Sequence, residues 1–127
     1  MTSVVIDASA LMALWLGEPG AEHVMSHVDG AAMSAVNVDE VAAKMLVRGD
    51  RLEQIAANLR AMPIEFVPFD YGQALVSASL KNHCIGKNIS FADRACLALG
   101  LTLNRPVLTS DREWANLDLG INVQLIR

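Results

Sequence analysis

The chain has 127 residues, of which 53% are hydrophobic and 19% are charged. This composition favours a single globular domain over residues 1–127 and excludes an intrinsically disordered chain. The net charge of −4 argues against nonspecific nucleic-acid binding through a broad basic face. The N-terminal stretch MTSVVID has no basic segment typical of a signal peptide, and no apolar run is long enough to cross a membrane. We therefore expect a cytoplasmic protein without a membrane partner.

Short apolar strands alternate with helices along the chain. A β-branched run at residues 3–6 predicts the first strand, and the segments 8–16 and 21–28 predict the two helices that follow. The remaining predicted elements are a strand at 31–34, a helix at 37–47 with Asn37 as its N-cap, a helix at 52–62, a strand at 64–67, a helix at 71–83, a helix at 90–103, and strands at 106–109 and 122–126. This alternation is typical of an α/β fold with a largely parallel sheet covered on both faces.

Several common functional motifs are missing from the sequence. Cys84 and Cys96 form no CxxC pair, which favours buried thiols over a disulfide or a zinc site. His23 and His27 have the i,i+4 spacing of metal ligands, but no HExxH motif surrounds them, so a solvated helix face is the better interpretation. The sequence contains no P-loop, GxGxxG or GxSxG motif, which argues against a nucleotide-binding site of those types and against a serine hydrolase.

Four carboxylates are predicted to lie at one edge of the sheet. Asp7 directly follows the first strand, and Asp111 follows the strand at 106–109 by two residues. Glu40 and Asp93 lie in the first turns of predicted helices. Because ligands of parallel sheets bind in the crevice outside the carboxyl ends of the strands, these four side chains are candidates for a common site.

Each of these carboxylates also has a purely structural interpretation. Asp7 can be an N-cap, and Asp111 can favour a helix N-terminus through the helix dipole. Glu40 can close a capping box from Asn37, and Asp93 can close one from Ser90. Four clustered carboxylates would repel one another, and a divalent cation would relieve that repulsion. Ligands that are all oxygen suit Mg²⁺ or Mn²⁺ better than zinc. Carboxylate-held Mg²⁺ in turn suits phosphodiester hydrolysis.

Four further residues are candidate substrate contacts, namely Ser9, Arg94, Thr109 and Arg112. Arg94 and Arg112 each adjoin a candidate site acid, so they are placed to meet a phosphate or to pair with the carboxylates when no substrate is bound. The hydroxyl groups of Ser9 and Thr109 are candidates for hydrogen bonds to the carboxylates or to the substrate.

Four blocks of the sequence together resemble a known family. They are, in order, VVIDASALMALWLGEPGAE, MSAVNVDEVAAKMLVRG, ISFADRACLALGL and RPVLTSDREWANL. The ordered set is similar, over nearly the whole chain, to the PIN-domain family, and in particular to the VapC-type toxins of bacterial toxin–antitoxin pairs.

The resemblance implies both a fold and a function. The implied fold is a three-layer α/β/α sandwich with a short, mainly parallel central sheet. The implied activity is that of an Mg²⁺- or Mn²⁺-dependent endoribonuclease, and the family's acids correspond to Asp7, Glu40, Asp93 and Asp111. The implied partners are the RNA substrate, a cognate antitoxin that blocks the site, and a second copy of the chain in a homodimer.

Two alternatives from other functional classes remain open. One is a non-catalytic binding protein of the same fold, whose acids serve only as caps and partner contacts. The other is a metal-dependent DNA nuclease or phosphatase, since the same acids suit either reaction. Receiver-type phosphotransfer is disfavoured, because Asp7 has no acidic neighbour and no lysine ends a late strand.

Overall fold

The structure is a computed structural model that describes residues 3–127. Residues 1 and 2, the start of the stretch interpreted as lacking a signal peptide, lie outside the described residues. The strands within the described range are β1 Val5–Ile6, β2 Ala31–Ser34, β3 Ile64–Val67, β4 Val107–Thr109 and β5 Val123–Leu125. The α-helices in that range are α1 Ala8–Leu16, α2 Ala21–Met25, α3 Ala35–Val47, α4 Leu52–Ala61, α5 Tyr71–Ser79 and α6 Phe91–Leu103. Two 3-10 helices, Lys81–Cys84 and Arg112–Asn116, complete the elements of this range.

The strands form one sheet in the order β3-β2-β1-β4-β5. Every neighbouring pair of these described strands is parallel. In the central pairs, Val5 is in register with Ala32 of β2 and with Val107 of β4. β1 is therefore the centre of the sheet, and its carboxyl end lies between those of β2 and β4. None of the helices in residues 3–127 is long and apolar enough to cross a membrane.

Alternate strand residues supply two separate hydrophobic cores. Ile6 and Leu108 belong to a cluster that includes side chains from α1, α2, α3 and α4. Val5 and Val107 belong to a second cluster, which includes the buried side chains of α6 and Trp114. Because successive side chains of a strand point to opposite faces, the two clusters cover the two faces of the sheet. This arrangement confirms the predicted three-layer α/β/α sandwich.

The helix α3 begins earlier than the sequence pattern indicates. Its N-cap is Ser34, whose Oγ accepts a hydrogen bond from the Val36 N–H at 3.2 Å. The prediction of an N-cap at Asn37, and of a capping box from that residue to Glu40, is therefore wrong. The buried strand β2 runs directly into the helix, so its last residue is already in the capping position.

Three other helices end earlier than predicted, and α4 does so by one residue, at Ala61. α2 ends at Met25, where the Ser26 hydroxyl donates to the His23 carbonyl at 2.8 Å and so competes with the helical backbone pattern. α5 ends at Ser79, and the residues that were expected to extend it form the separate 3-10 helix Lys81–Cys84. The predicted strands at 3–6, 106–109 and 122–126 are likewise trimmed at their ends.

The cysteines have the expected surroundings, whereas the two histidines do not share a solvated helix face, because α2 ends at Met25 and His27 lies beyond it. Cys84 and Cys96 are both free and buried, which confirms the interpretation as buried thiols. The His23 and His27 rings stack with their centroids 4.8 Å apart. The His23 side chain is exposed and that of His27 is half-buried.

Candidate active site

Asp7 lies at the carboxyl end of the central strand β1 and is only 6% exposed. Its carboxylate accepts hydrogen bonds from Ser9 Oγ at 2.7 Å, from the Ala10 N–H at 2.9 Å and from Thr109 Oγ1 at 2.7 Å. The bond from Ala10 makes Asp7 the N-cap of α1, as predicted. A strand that ends where a helix begins thus fixes this carboxylate at the edge of the sheet.

The two hydroxyl groups that support Asp7 also organise the loop after β4. Ser9 Oγ accepts a hydrogen bond from the Ser110 N–H at 3.0 Å, and Thr109 Oγ1 accepts one from the Asp111 N–H at 3.0 Å. Each hydroxyl therefore donates to Asp7 and accepts from the loop that carries Asp111. The carboxylate of Asp111 in turn accepts from the Glu113 N–H at 3.0 Å and caps the 3-10 helix Arg112–Asn116.

Asp93 begins α6 within a complete capping box. Ser90 Oγ accepts from the Asp93 N–H at 3.1 Å, and Asp93 Oδ2 accepts from the Ser90 N–H at 2.9 Å. The predicted capping box is confirmed. The Asp93 residue is half-buried, so part of its surface packs against the rest of the protein.

Glu40 lies on α3 and is held by two side chains of the same helix. Its Oε1 accepts from Asn37 Nδ2 at 3.3 Å, and its Oε2 pairs with Lys44 Nζ at 3.5 Å. Asn37 Nδ2 also donates to the carbonyl of Ala92 at 3.1 Å, directly before Asp93 in the sequence. A buried amide therefore connects α3 to the start of α6.

Asn37 is a site neighbour that the sequence analysis did not identify. The sequence pattern favours an N-cap at this position, because Asn is a common N-cap residue. The signal that would have found it is its spacing, because Asn37, Val41 and Met45 are the buried positions of α3 and lie four residues apart. A polar residue on the apolar stripe of a helix needs a specific partner.

The candidate acids influence one another electrostatically. Burial raises the pKa of Asp7 to about 6 in spite of its hydrogen bonds, and the negative charge of Glu40 adds to the increase. Burial also raises the pKa of Asp93, with smaller contributions from the charges of Glu40 and Asp111. The pKa of the buried Cys96 thiol is raised well above its usual range by burial and, to a lesser extent, by the charges of Asp7, Asp93 and Glu40. The charge of Glu40 therefore acts on both Asp7 and Asp93, and the charge of Asp111 acts on Asp93.

The donor set of this region fits a hard divalent cation. Its negatively charged groups are carboxylates, which Mg²⁺ and Mn²⁺ prefer as ligands. Among residues 3–127, no three His, Cys, Asp or Glu side chains converge closely enough to hold a metal ion by themselves. Mg²⁺ is commonly held by one or two carboxylates while waters complete its octahedron, so a small number of direct protein ligands is compatible with this ion.

The two candidate arginines are not paired with the acids. In the described part of the chain, Lys44–Glu40 is the only ion pair that involves one of the four acids, so the predicted arginine–carboxylate pairing is not found. Arg94 is half-buried with its Cζ 5.9 Å from the centroid of the Phe91 ring, and its buried Nε has no hydrogen-bond partner among the described residues. Arg112 is exposed.

The protein is an α/β protein with a short parallel sheet between two helical layers. Asp7 and Asp111 follow its adjacent strands β1 and β4, which makes this edge of the sheet the candidate site. The family model of the PIN domain matches residues 4–119. The chain belongs to the PIN domain family.

Solved structures share this fold over nearly their whole length. The chain is similar to one in a toxin–antitoxin complex from Klebsiella pneumoniae, with a TM-score of 0.79, 16% identity and 98% of each chain covered. A DNA-bound VapBC from Salmonella typhimurium matches with a TM-score of 0.76, 13% identity and 100% coverage of each chain. VapC20 of Mycobacterium tuberculosis, a sarcin-ricin loop cleaving toxin, matches with a TM-score of 0.73 and 14% identity over 91% of this chain and 96% of that one. No curated protein sequence matches the chain significantly.

Proposed function

We propose that this protein is a VapC-type toxin of a toxin–antitoxin pair and acts as an Mg²⁺- or Mn²⁺-dependent endoribonuclease. The observation that carries the proposal is that Asp7 and Asp111 follow adjacent parallel strands of a PIN domain, while the charge of Glu40 acts on both Asp7 and Asp93. The fold relative VapC20 is a toxin that cleaves the sarcin-ricin loop, which supports RNA as the substrate class.

In the proposed mechanism, Asp7, Asp93 and Asp111 hold the metal ion directly or through water, and Glu40 orients a water or a second ion. When bound, the ion would supply an activated water and neutralise charge that develops on the phosphate. The hydrogen bonds from Ser9 and Thr109 favour the ionised form of the Asp7 carboxylate, which is the form that binds a cation.

The substrate phosphates would meet Arg94 and Arg112. Arg94 is half-buried and directly follows Asp93, and a phosphate oxygen is a strong acceptor for the N–H groups of a guanidinium. Arg112 lies directly after Asp111 and is exposed, so it is accessible to an RNA backbone. We assign Ser9 and Thr109 primarily to support of Asp7, because their hydroxyl protons are already committed to that carboxylate.

The proposed partners are a cognate antitoxin and a second copy of the chain, in a cytoplasmic complex. Complexes of toxins with antitoxins are among the solved structures that share this fold. Several large apolar side chains are exposed, including Val47, Tyr71 and Ile85 at 88%, 80% and 69%. Exposed apolar side chains of this size supply contact area for protein partners.

The test is cleavage of a mixed tRNA and rRNA pool with Mn²⁺, with EDTA, and by the Asp7→Asn variant. Asp39→Asn is the matched control, because Asp39 is an exposed acid next to Glu40. We expect discrete products that disappear with EDTA and with Asp7→Asn but persist with Asp39→Asn. Cleavage that survives EDTA would contradict the metal-dependent mechanism.

One observation favours the non-catalytic alternative, because Asp7, Asp93 and Asp111 all cap helices in this fold. A binding protein whose acids serve only as helix caps would not cleave RNA, and Mn²⁺ would not raise its melting temperature. The third candidate, a DNA nuclease or phosphatase, is distinguished by adding single-stranded DNA and a phosphomonoester to the same assay.

A further inference from the structure

One carboxamide is buried on the apolar stripe of α3. Asn37 is 1% exposed and shares this stripe with Val41 and Met45. Asn has a low helix propensity, because its side chain competes for backbone hydrogen bonds, and a buried polar group is unfavourable without partners. An Asn at this position therefore has to be stabilised by specific contacts.

These contacts join the two helices that carry Glu40 and Asp93. Asn37 Nδ2 donates to Glu40 Oε1 at 3.3 Å and to the Ala92 carbonyl at 3.1 Å. Both partners are acceptors, so the orientation of the amide is determined, since Oδ1 in place of Nδ2 would face two acceptors. Oδ1 is buried without a donor among the described residues and remains available to accept a hydrogen bond.

The other partner of Glu40 is less suited to fix its position. Lys44 Nζ lies 3.5 Å from Glu40 Oε2, and the lysine side chain is 54% exposed. Exposed lysine–carboxylate pairs within one helix contribute little and hold a loosely defined geometry. Asn37 is short, buried and bonded to the backbone of the facing helix, so it restricts the Glu40 carboxylate much more strongly.

We propose that Asn37 is a positioning residue of the acidic site, which holds the Glu40 carboxylate at a defined place relative to Asp93. Glu40 and Asp93 come from helices that cover opposite faces of the sheet, and the Asn37 amide connects the first of these carboxylates to the backbone beside the second. This inference rests on the proposed function, because it assigns a role within the proposed metal-dependent site.

The experiment compares Asn37→Ala with Gln73→Ala. Gln73 is a matched control, because it is also a buried carboxamide, its Nε2 donates to Thr102 Oγ1 of another helix at 2.6 Å, and its Oε1 also lacks a donor in the described structure. For each variant we would measure the Mn²⁺ dissociation constant by electron paramagnetic resonance, the cleavage rate of the RNA pool, and the melting temperature without metal. We expect both variants to melt at lower temperature, whereas only Asn37→Ala weakens Mn²⁺ affinity and cleavage, by about 10- to 100-fold.

A double-mutant cycle with Glu40→Ala separates positioning from general stabilisation. If Asn37 acts through Glu40, Asn37→Ala has little further effect on Mn²⁺ affinity or on cleavage once Glu40 is removed. The proposal would be overturned if Asn37→Ala reduced Mn²⁺ affinity and cleavage by the same factor in the wild-type protein and in the Glu40→Ala variant. It would also be overturned if Asn37→Ala alone left both the affinity and the cleavage rate unchanged.

The outcomes also separate this inference from the proposed function. A wild-type protein that binds Mn²⁺ and cuts RNA, together with an Asn37→Ala variant that does both equally well, overturns only the role of Asn37. A wild-type protein that neither binds Mn²⁺ nor cuts RNA overturns the proposed function and this role with it. If wild-type protein binds Mn²⁺ but cuts nothing in the pool, the Mn²⁺ affinities alone decide the role of Asn37.

Discussion

At the scale of single residues, a carboxylate can cap a helix and still be available to a cation. On Asp7, Oδ1 accepts from Ser9 and Ala10, and Oδ2 accepts from Thr109. A carboxylate has about four acceptor positions, so one remains on Oδ2. Among the described residues, one acceptor position of the Asp7 carboxylate therefore has no partner, while the same carboxylate caps α1. Capping and metal binding are compatible roles.

The buried charge of Asp7 should make the metal-free protein less stable as pH rises. The pKa of Asp7 increases from 3.8 to about 6 in the folded protein, which therefore holds the proton more tightly than the unfolded chain does. The free energy of unfolding then decreases as pH rises through this interval, by on the order of 3 kcal/mol for this group. Asp7→Asn lacks the charge, so we expect the variant to be more stable than wild type in EDTA above this interval.

Urea unfolding of both proteins in EDTA, over a pH series that spans this interval, measures the effect. The difference between them should shrink toward the acidic end, where Asp7 is protonated in both the folded and unfolded wild-type protein. The exposed-acid variant Asp39→Asn should follow wild type throughout. A constant difference between Asp7→Asn and wild type across the series would contradict the assignment to this carboxyl group.

At the scale of elements, the two hydrogen bonds of the α6 capping box allow an effect on stability to be tested separately from an effect on cleavage. Ser90 Oγ accepts from the Asp93 N–H, whereas the Asp93 carboxylate accepts from the Ser90 N–H. Ser90→Ala removes only the first bond, so we expect a loss of about 1 kcal/mol in unfolding free energy and nearly unchanged cleavage. Asp93→Asn keeps an acceptor for the Ser90 N–H but removes the charge. We expect it to retain the fold and to lose cleavage by orders of magnitude.

Urea unfolding and the Mn²⁺-dependent cleavage assay, applied to both variants, provide the measurement. If Asp93→Asn unfolds the protein, or if it leaves cleavage intact, Asp93 acts as a cap alone.

The starts of α6 and α3 show when local sequence patterns place a helix boundary correctly and when they do not. The start of α6 was predicted correctly because Ser90 and Asp93 signal a capping box by local chemistry alone. The start of α3 was misjudged because both Ser34 and Asn37 are good caps. Ser34 has that role because β2 ends there. Local propensity ranks the two candidates equally, and the length of the preceding strand decides between them.

At the scale of the whole molecule, the candidate site lies between two cores. Asp7 and Asp111 follow the adjacent strands β1 and β4, whereas Glu40 and Asp93 come from helices that pack on opposite faces of the sheet. A cation that these acids bind together would therefore connect elements of both layers. It would bind the folded chain only, because the unfolded chain does not bring the four acids together.

We accordingly expect Mn²⁺ to raise the unfolding free energy by about 2.7 kcal/mol at a concentration 100 times its dissociation constant. Thermal melts over a Mn²⁺ series test this, with Asp7→Asn expected to lose the stabilisation and Asp39→Asn to keep it. A melting temperature of wild-type protein that does not respond to Mn²⁺ would favour the interpretation of the acids as caps.

The sequence by itself determined the alternation of strands and helices, the parallel sheet with its two apolar faces, and the acids Asp7 and Asp93 as helix caps. These features follow from hydrophobic periodicity and capping chemistry, which act over a few neighbouring residues. Only the tertiary structure decided which groups meet across the chain. Thr109 donates to Asp7 over a separation of 102 residues, and Asn37 donates to the Ala92 carbonyl over 55. Such contacts depend on strand order and on the packing of two helical layers, and no local pattern records either of them.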